Sequence, residues 1–196
     1  MYYLYMSNQK TIHRGVSKAE WLEKALQTLG KGGIAAITVE GMAKSLGINK
    51  SGFYWHFKNR DDLFRQILDY WSHEVTEVIT DNPVLFNLEP KARLIKIAEM
   101  ILDFELTHYE IAIRQWALQN DLAARAAKKV NRVRLNFISN TLSELGFKGD
   151  DLDMRAMLFV CYQSLESPMF PEISLKRRRE LIRKRIDLLT RPTTRN

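Results

Sequence analysis

The chain is 196 residues long, 45% hydrophobic and 27% charged, with a formal net charge of +7. That is enough chain for a sizeable core in one or two domains, and this composition excludes global disorder. Charge is uneven: residues 1–60 hold 9 basic and 3 acidic side chains, residues 61–173 hold 12 and 18, and residues 174–196 hold 9 and 2. A basic N-terminal block joined to an acidic middle fits a nucleic-acid module on a body of another purpose.

Residues 1–14 read as a flexible arm in which Lys10, His13 and Arg14 form a basic tail. Met1–Met6 is apolar but lacks the charged start and long apolar stretch of a secretory leader. Ser17 and Glu20 have capping-box spacing, opening a first helix with Trp21, Leu22, Ala25, Leu26 and Leu29 on its apolar face. Gly30, Gly32 and Gly33 are expected to break that helix; without P-loop spacing or a preceding strand they form a turn and no phosphate cradle.

Thr38 is the expected N-cap of a second helix, with Met42, Ala43 and Leu46 inward, Gly47 as C-cap and Gly41 at a cost of about 1 kcal/mol relative to Ala. Gly47–Asn49 then forms the turn of a helix-turn-helix over residues 38–57. In its second helix Asn49 is the expected N-cap and Lys50, Ser51 and Gly52 the first helical positions, where a recognition helix meets base edges. Phe53 and Phe57, four apart, face a core, while Tyr54, Trp55 and His56 look outward beside Lys50, Lys58 and Arg60. Asn59 and Asp62 cap the next helix, which runs toward Asp81 with Phe64, Ile67, Leu68, Trp71, Val75 and Val78 on one face and stops at Asn82-Pro83.

These features together carry a family resemblance. The first helix, the TVEGMAKSLGI segment, the FYWHF cluster and the acidic pair after Asn59 make residues 15–75 resemble the DNA-binding domain of TetR-type transcriptional regulators. Two positions depart from that pattern: Ser51 precedes Gly52 where the family has glycine and then a small residue, and Arg60 stands where Lys is commonest. The resemblance implies an all-α fold of about nine helices, with residues 76–196 forming a regulatory and dimerisation domain. It also implies a homodimer on a palindromic double-stranded DNA operator, usually as a repressor, released by a small-molecule effector. By that resemblance and by charge, Lys50 and Ser51, with Gly52 beside them, are the expected base-edge contacts. Tyr54 and Trp55 present rings to base or phosphate, and Thr38, His56, Lys58 and Arg60 are expected to hold phosphates.

Past residue 82 a helix is expected from Glu89-Pro90 with Leu94, Ile97, Ala98, Ile101 and Leu102 apolar. HYEIAIRQWALQN then resembles the IRxWA segment of one branch of the family. A long helix follows from about Asp121 to Leu145, stopped by Gly146, and another from Leu152 to Leu165 opened by Asp150 or Asp151. The last spans Ser174 to Leu189, before Pro192. Ala156–Tyr162 is apolar on every side and needs cover on more than one face. With Leu175, Ile182, Ile186 and Leu189 as a stripe on the last helix, a two-fold four-helix interface is expected, as the family dimerises. Arg177, Arg178, Arg179, Arg183, Lys184 and Arg185 are expected to form a solvated face. Phe104, His108, Trp116, Phe159, Tyr162 and Gln163 lie on helices that line effector cavities in this family.

Other chemistry is disfavoured. Cys161 is the sole cysteine, so the chain has no intrachain disulfide and no multi-cysteine zinc site, which fits a reducing, cytoplasmic setting. Within its apolar run the thiol is expected to be buried and inert. Asp69, His73 and Glu77 share a helix face, but an open, solvated one without the supporting shell a metal needs. No membrane span, cofactor fingerprint or catalytic constellation is found, so an enzyme is not expected. A DNA-bound architectural or protein-recruiting factor of the same fold, without an effector, is the alternative function.

Overall fold

The computed structural model describes residues 15–192; the expected arm over residues 1–14 lies outside them. Every regular element among these residues is helical. The helices are α1 (Lys18–Gly32), α2 (Val39–Ser45), α3 (Ser51–Tyr54), α4 (Arg60–Ser72), α5 (Pro90–Asp103), α6 (Glu110–Ala117), α7 (Asp121–Glu144), α8 (Gly149–Met169) and α9 (Leu175–Leu189). Single turns at Ile34–Ala36, Val78–Thr80 and Pro83–Phe86 fill the connections. The chain forms two compact units, residues 15–74 with 109–127 and residues 75–108 with 128–192.

In the first unit, both hydrogen bonds of the capping box open α1: Ser17 N donates to Glu20 Oε2 (2.7 Å) and Glu20 N to Ser17 Oγ (3.3 Å). The five apolar residues expected on its inner face are all buried. The glycines do not break the helix where expected: α1 continues through Gly30 and Gly32 and ends at Gly33. Asn59 Oδ1 accepts from Asp62 N (2.8 Å) and starts α4 as expected, with Leu63 and Trp71 packed in the core.

Beyond Ser72 the chain makes a π-turn at His73–Glu77 before α-helical geometry returns at Val78–Thr80. The wider turn shifts the inward phase by one residue. Ile79 is therefore buried where Val78 was expected to be, and Asp69, His73 and Glu77 lose their regular i, i+4, i+8 spacing.

The second unit has its own core, in which Leu94, Ile97 and Ala98 of α5 join Ile138 and Leu142 of α7, Ala156 and Phe159 of α8, and Ile182 and Ile186 of α9. One buried cation is part of this framework. Arg93 Nε donates to Leu85 O (2.9 Å) and its Nη1 to Glu144 Oε1 (2.5 Å), tying the Pro83–Phe86 turn to the end of α7.

Four expectations for this unit are corrected. Helix α8 starts at Gly149, before the acidic pair, and extends past Leu165 to Met169 with Pro168 inside it. The expected α9 stripe is divided: Ile182 and Ile186 are consumed by the core of their own chain and Leu189 is partly buried against it, while Leu175 is exposed. The arginine-rich side is only partly solvated. Arg178 is buried and donates to Ile173 O (2.8 Å), Phe170 O and the Glu166 carboxylate, Arg179 pairs with Asp103 (2.6 Å), and Arg185 stacks 4.0 Å over Tyr162. Cys161 is exposed, not buried, next to exposed Met154, Met157 and Leu158.

Candidate nucleic-acid interface and effector cavity

The helix-turn-helix is fixed from both ends. Thr38 Oγ1 accepts from Gly41 N (3.1 Å), and a Cβ at residue 41 would lie 2.7 Å from that oxygen. Glycine inside α2 therefore makes room for the cap, which is the compensation its low helix propensity requires. After α2, Gly47 turns the chain at φ 71°, a left-handed conformation that side chains resist, and Ile48 N returns to Ala43 O (3.0 Å).

Helix α3 is a single turn that starts at Ser51, with Lys50 at its N-cap and no side-chain cap. The expected Asn49 cap is corrected accordingly: Asn49 contributes its carbonyl, accepting from Gly52 N (3.0 Å). So short a helix has little stability of its own and depends on tertiary packing. Phe53 and Phe57 supply it, both buried, their rings edge-on to Trp21 at 5.7 and 6.3 Å.

That packing turns the neighbouring residues outward. Tyr54 is 64% exposed and Trp55 86% exposed, values unusual for large aromatic side chains in a well-packed unit. Lys50, Ser51 and Lys58 are exposed beside them, and a Cβ on Gly52 would sit 3.2 Å from Ile48 Cδ1. Backbone N–H of Lys58 donates to Asp62 Oδ2 (3.0 Å); this contact and the Gln66 amide hold the Asp62 carboxyl below the usual carboxylate range.

Besides Thr38, two more of the expected phosphate ligands have structural partners. A ring nitrogen of His56 lies 2.9 Å from Val16 O, which ties α3 to the residue preceding the α1 cap. The Arg60 guanidinium donates to Ile34 O (3.3 Å) and lies 4.9 Å over the Phe64 ring. Lys50 also faces Glu40 at 3.7 Å, a partner that the sequence reading did not single out. Its signal was there: an acidic residue in the first turn of α2, one turn from the basic helix tip.

The effector candidates divide. Phe159 and Gln163 line a cavity of about 50 Å³ in the second unit, and His108 and Gln163 line a neighbouring groove of about 320 Å³. Phe104 is partly buried against the core, Tyr162 lies under Arg185, and Trp116 packs edge-on against Phe64 (5.4 Å) in the first unit. Sequence periodicity missed the polar side of the cavity. Arg134 Nε donates to Thr76 Oγ1 (3.1 Å) and Nη1 to Ser164 Oγ (3.1 Å), joining residues 58 and 30 positions apart.

The profile of bacterial regulatory proteins of the tetR family matches residues 22–67, the span from α1 into α4. Residues 22–67 thus carry the N-terminal segment that defines the TetR family of regulators. Among family members of curated function, the chain is 27% identical over 86 residues to the HTH-type transcriptional regulator AcrR of Shigella flexneri, covering 44% of this chain and 40% of that protein. It is 32% identical over 53 residues to the HTH-type transcriptional regulator TtgR of Pseudomonas putida, covering 27% and 25%. The matches thus span well under half the length of these relatives. The fold likeness reaches further. A transcriptional regulator from Rhodococcus sp. Rha1 superposes with a TM-score of 0.70 at 16% identity, over 89% of this chain and 96% of that one. The TetR family regulator PfmR from Thermus thermophilus gives 0.67 at 19% identity, over 89% and 99%.

Proposed function

We propose that the chain is a sequence-specific, DNA-binding transcriptional regulator that acts as a homodimer, with residues 15–75 as its DNA-binding domain and residues 76–196 as its regulatory and dimerisation domain. The observation that carries this reading is the helix tip, where two buried phenylalanines hold Tyr54 and Trp55 out beside Lys50, Ser51 and Lys58. In this reading Lys50 and Ser51 meet base edges, Lys through guanine O6 and N7. Tyr54, Trp55, Thr38 and Lys58 position the backbone, and Gly52 allows close approach. His56 and Arg60 set the shape of the surface through Val16 and Ile34 as much as they attract phosphate.

Dimerisation is supported by the row of exposed apolar side chains on α8, Met154, Met157 and Leu158, which in a single chain faces water. Two copies would place two α3 tips in successive major grooves about 34 Å apart on a palindromic operator. A small molecule in the second unit would act by binding one conformer better than the other, releasing a repressor from DNA. A cavity of about 50 Å³ is smaller than the roughly 300 Å³ at which ligand pockets begin. A ligand seated wholly in that cavity would favour a wider conformer.

Selection from random duplexes, followed by titration of Lys50→Ala and Arg60→Ala, tests the assignment. Lys50→Ala is expected to lose about 1–3 kcal/mol on the selected site and relax one base position, and Arg60→Ala to weaken all sequences alike. Equal losses for Lys50→Ala on selected and random DNA would remove Lys50 from base reading.

A further inference from the structure

The polar side of the cavity in the second unit is rich in hydrogen-bond donors. Thr76 and Ser164 are buried hydroxyls, each already accepting from Arg134, and among the described residues neither donates a hydrogen bond. A hydroxyl whose oxygen is engaged by a guanidinium still has a proton to give. Gln163 Nε2, in the same lining, is buried and has no hydrogen-bond partner among the described residues. The aliphatic and aromatic side chains of Ile97, Ile138 and Phe159 line the same cavity. A buried donor left unpaired keeps the full penalty of its lost hydration, so this wall is stabilised by whatever brings it an acceptor.

Ile101, Thr107 and Gln163 line both the cavity and the neighbouring groove, so Gln163 stands where the two meet. The groove carries Glu105 and Glu166; Glu166 is paired with Arg178 through one oxygen, and its other oxygen is buried with no hydrogen-bond partner among the described residues. A carboxylate mouth in front of a donor-lined cavity separates ligands by the sense of their polar group.

We infer that the effector of this chain is an aliphatic carbonyl compound, its tail against the apolar wall and its carbonyl oxygen accepting from Gln163 Nε2 and the Thr76–Arg134–Ser164 cluster. The inference rests on the effector reading given above and deepens it. Fatty acids and neutral lactones share this chemistry. A carboxylate gains from Arg134 but must pass the exposed Glu105, whereas a lactone does not bear that repulsion.

Calorimetric titration of the full chain with decanoate, γ-decalactone and decylamine decides it. At least one of the two carbonyl compounds is expected to bind at least about tenfold tighter than decylamine, and Gln163→Leu to weaken it about tenfold with the melting temperature unchanged. Gln163→Glu, which replaces donors by acceptors, is expected to reverse the order in favour of decylamine. A preference for decanoate identifies the Arg134 charge as the dominant partner, and a preference for the lactone identifies the neutral donors; either supports the inference. Decylamine binding as tightly as both carbonyl compounds, no binding of either, or an unchanged affinity in Gln163→Leu overturns it. Gel shifts on the selected duplex run alongside: DNA binding without carbonyl binding overturns this inference alone, and the converse overturns the DNA reading alone.

Discussion

At the tip of the first unit, Phe53 and Phe57 are buried while Tyr54, Trp55 and Lys50 stand in solvent; around the cavity of the second, Arg134, Thr76 and Ser164 are turned inward and hydrogen-bonded to one another. Apolar anchoring lets a one-turn helix present polar groups to a large partner without depending on them for stability. An inward polar cluster is the opposite case, because its groups must be satisfied before any ligand arrives. Substitutions of the exposed residues at the tip should therefore separate stability from binding, whereas at Arg134, Thr76 and Ser164 the two should move together.

The most severe test removes an anchor. Phe53→Ala takes away a fully buried ring in contact with Trp21 and Phe57, and should cost about 3–5 kcal/mol in denaturant unfolding and abolish DNA binding. A stable Phe53→Ala protein that still selects a duplex would show that α3 does not depend on its anchors. Next in size is Arg93→Met, which leaves Leu85 O and the half-exposed Glu144 without their donor. About 2–3 kcal/mol should be lost, seen as a lower urea midpoint.

Gly41→Ala sharpens the contrast at a smaller scale. The added methyl would crowd Thr38 Oγ1 and should cost about 1 kcal/mol, despite alanine's better helix propensity. A stabilised Gly41→Ala protein would show that the Thr38 cap contributes little.

The smallest effect is pH-dependent. Hydrogen bonds from the Ser17 backbone and hydroxyl hold the Glu20 carboxyl below the usual carboxylate range. A depressed folded-state pKa gives stability that is present above the unfolded value and lost as pH falls through the folded one. Ser17→Ala should therefore lower the melting temperature at neutral pH by a degree or two, and the gap to wild type should narrow below about pH 4. A gap independent of pH would confine the cap to the serine alone.

Local pattern was sufficient wherever an element is specified by neighbours in the chain. The Ser17–Glu20 box, the Thr38 and Asn59 caps, the apolar face of α1 and the outward aromatics of α3 all involve residues within about one helical turn. It failed where the deciding partner is remote. Nothing local distinguishes Ile182 and Ile186, which are covered by their own chain, from Leu175 on the same stripe, which is not; the difference is the packing of α5 against α9. The π-turn at His73–Glu77 likewise left no periodic trace, because one extra residue shifts the phase without changing composition.

The sequence by itself determined an all-helical chain and a basic, ring-backed tip after a Thr38-capped helix, because capping and period act over a few residues. Only the tertiary structure decided that Cys161 is exposed, that Arg178 is buried, and that Arg134 gathers Thr76 and Ser164 around a cavity. Those outcomes depend on which helices meet, and burial is a property of the contact between segments far apart in the chain.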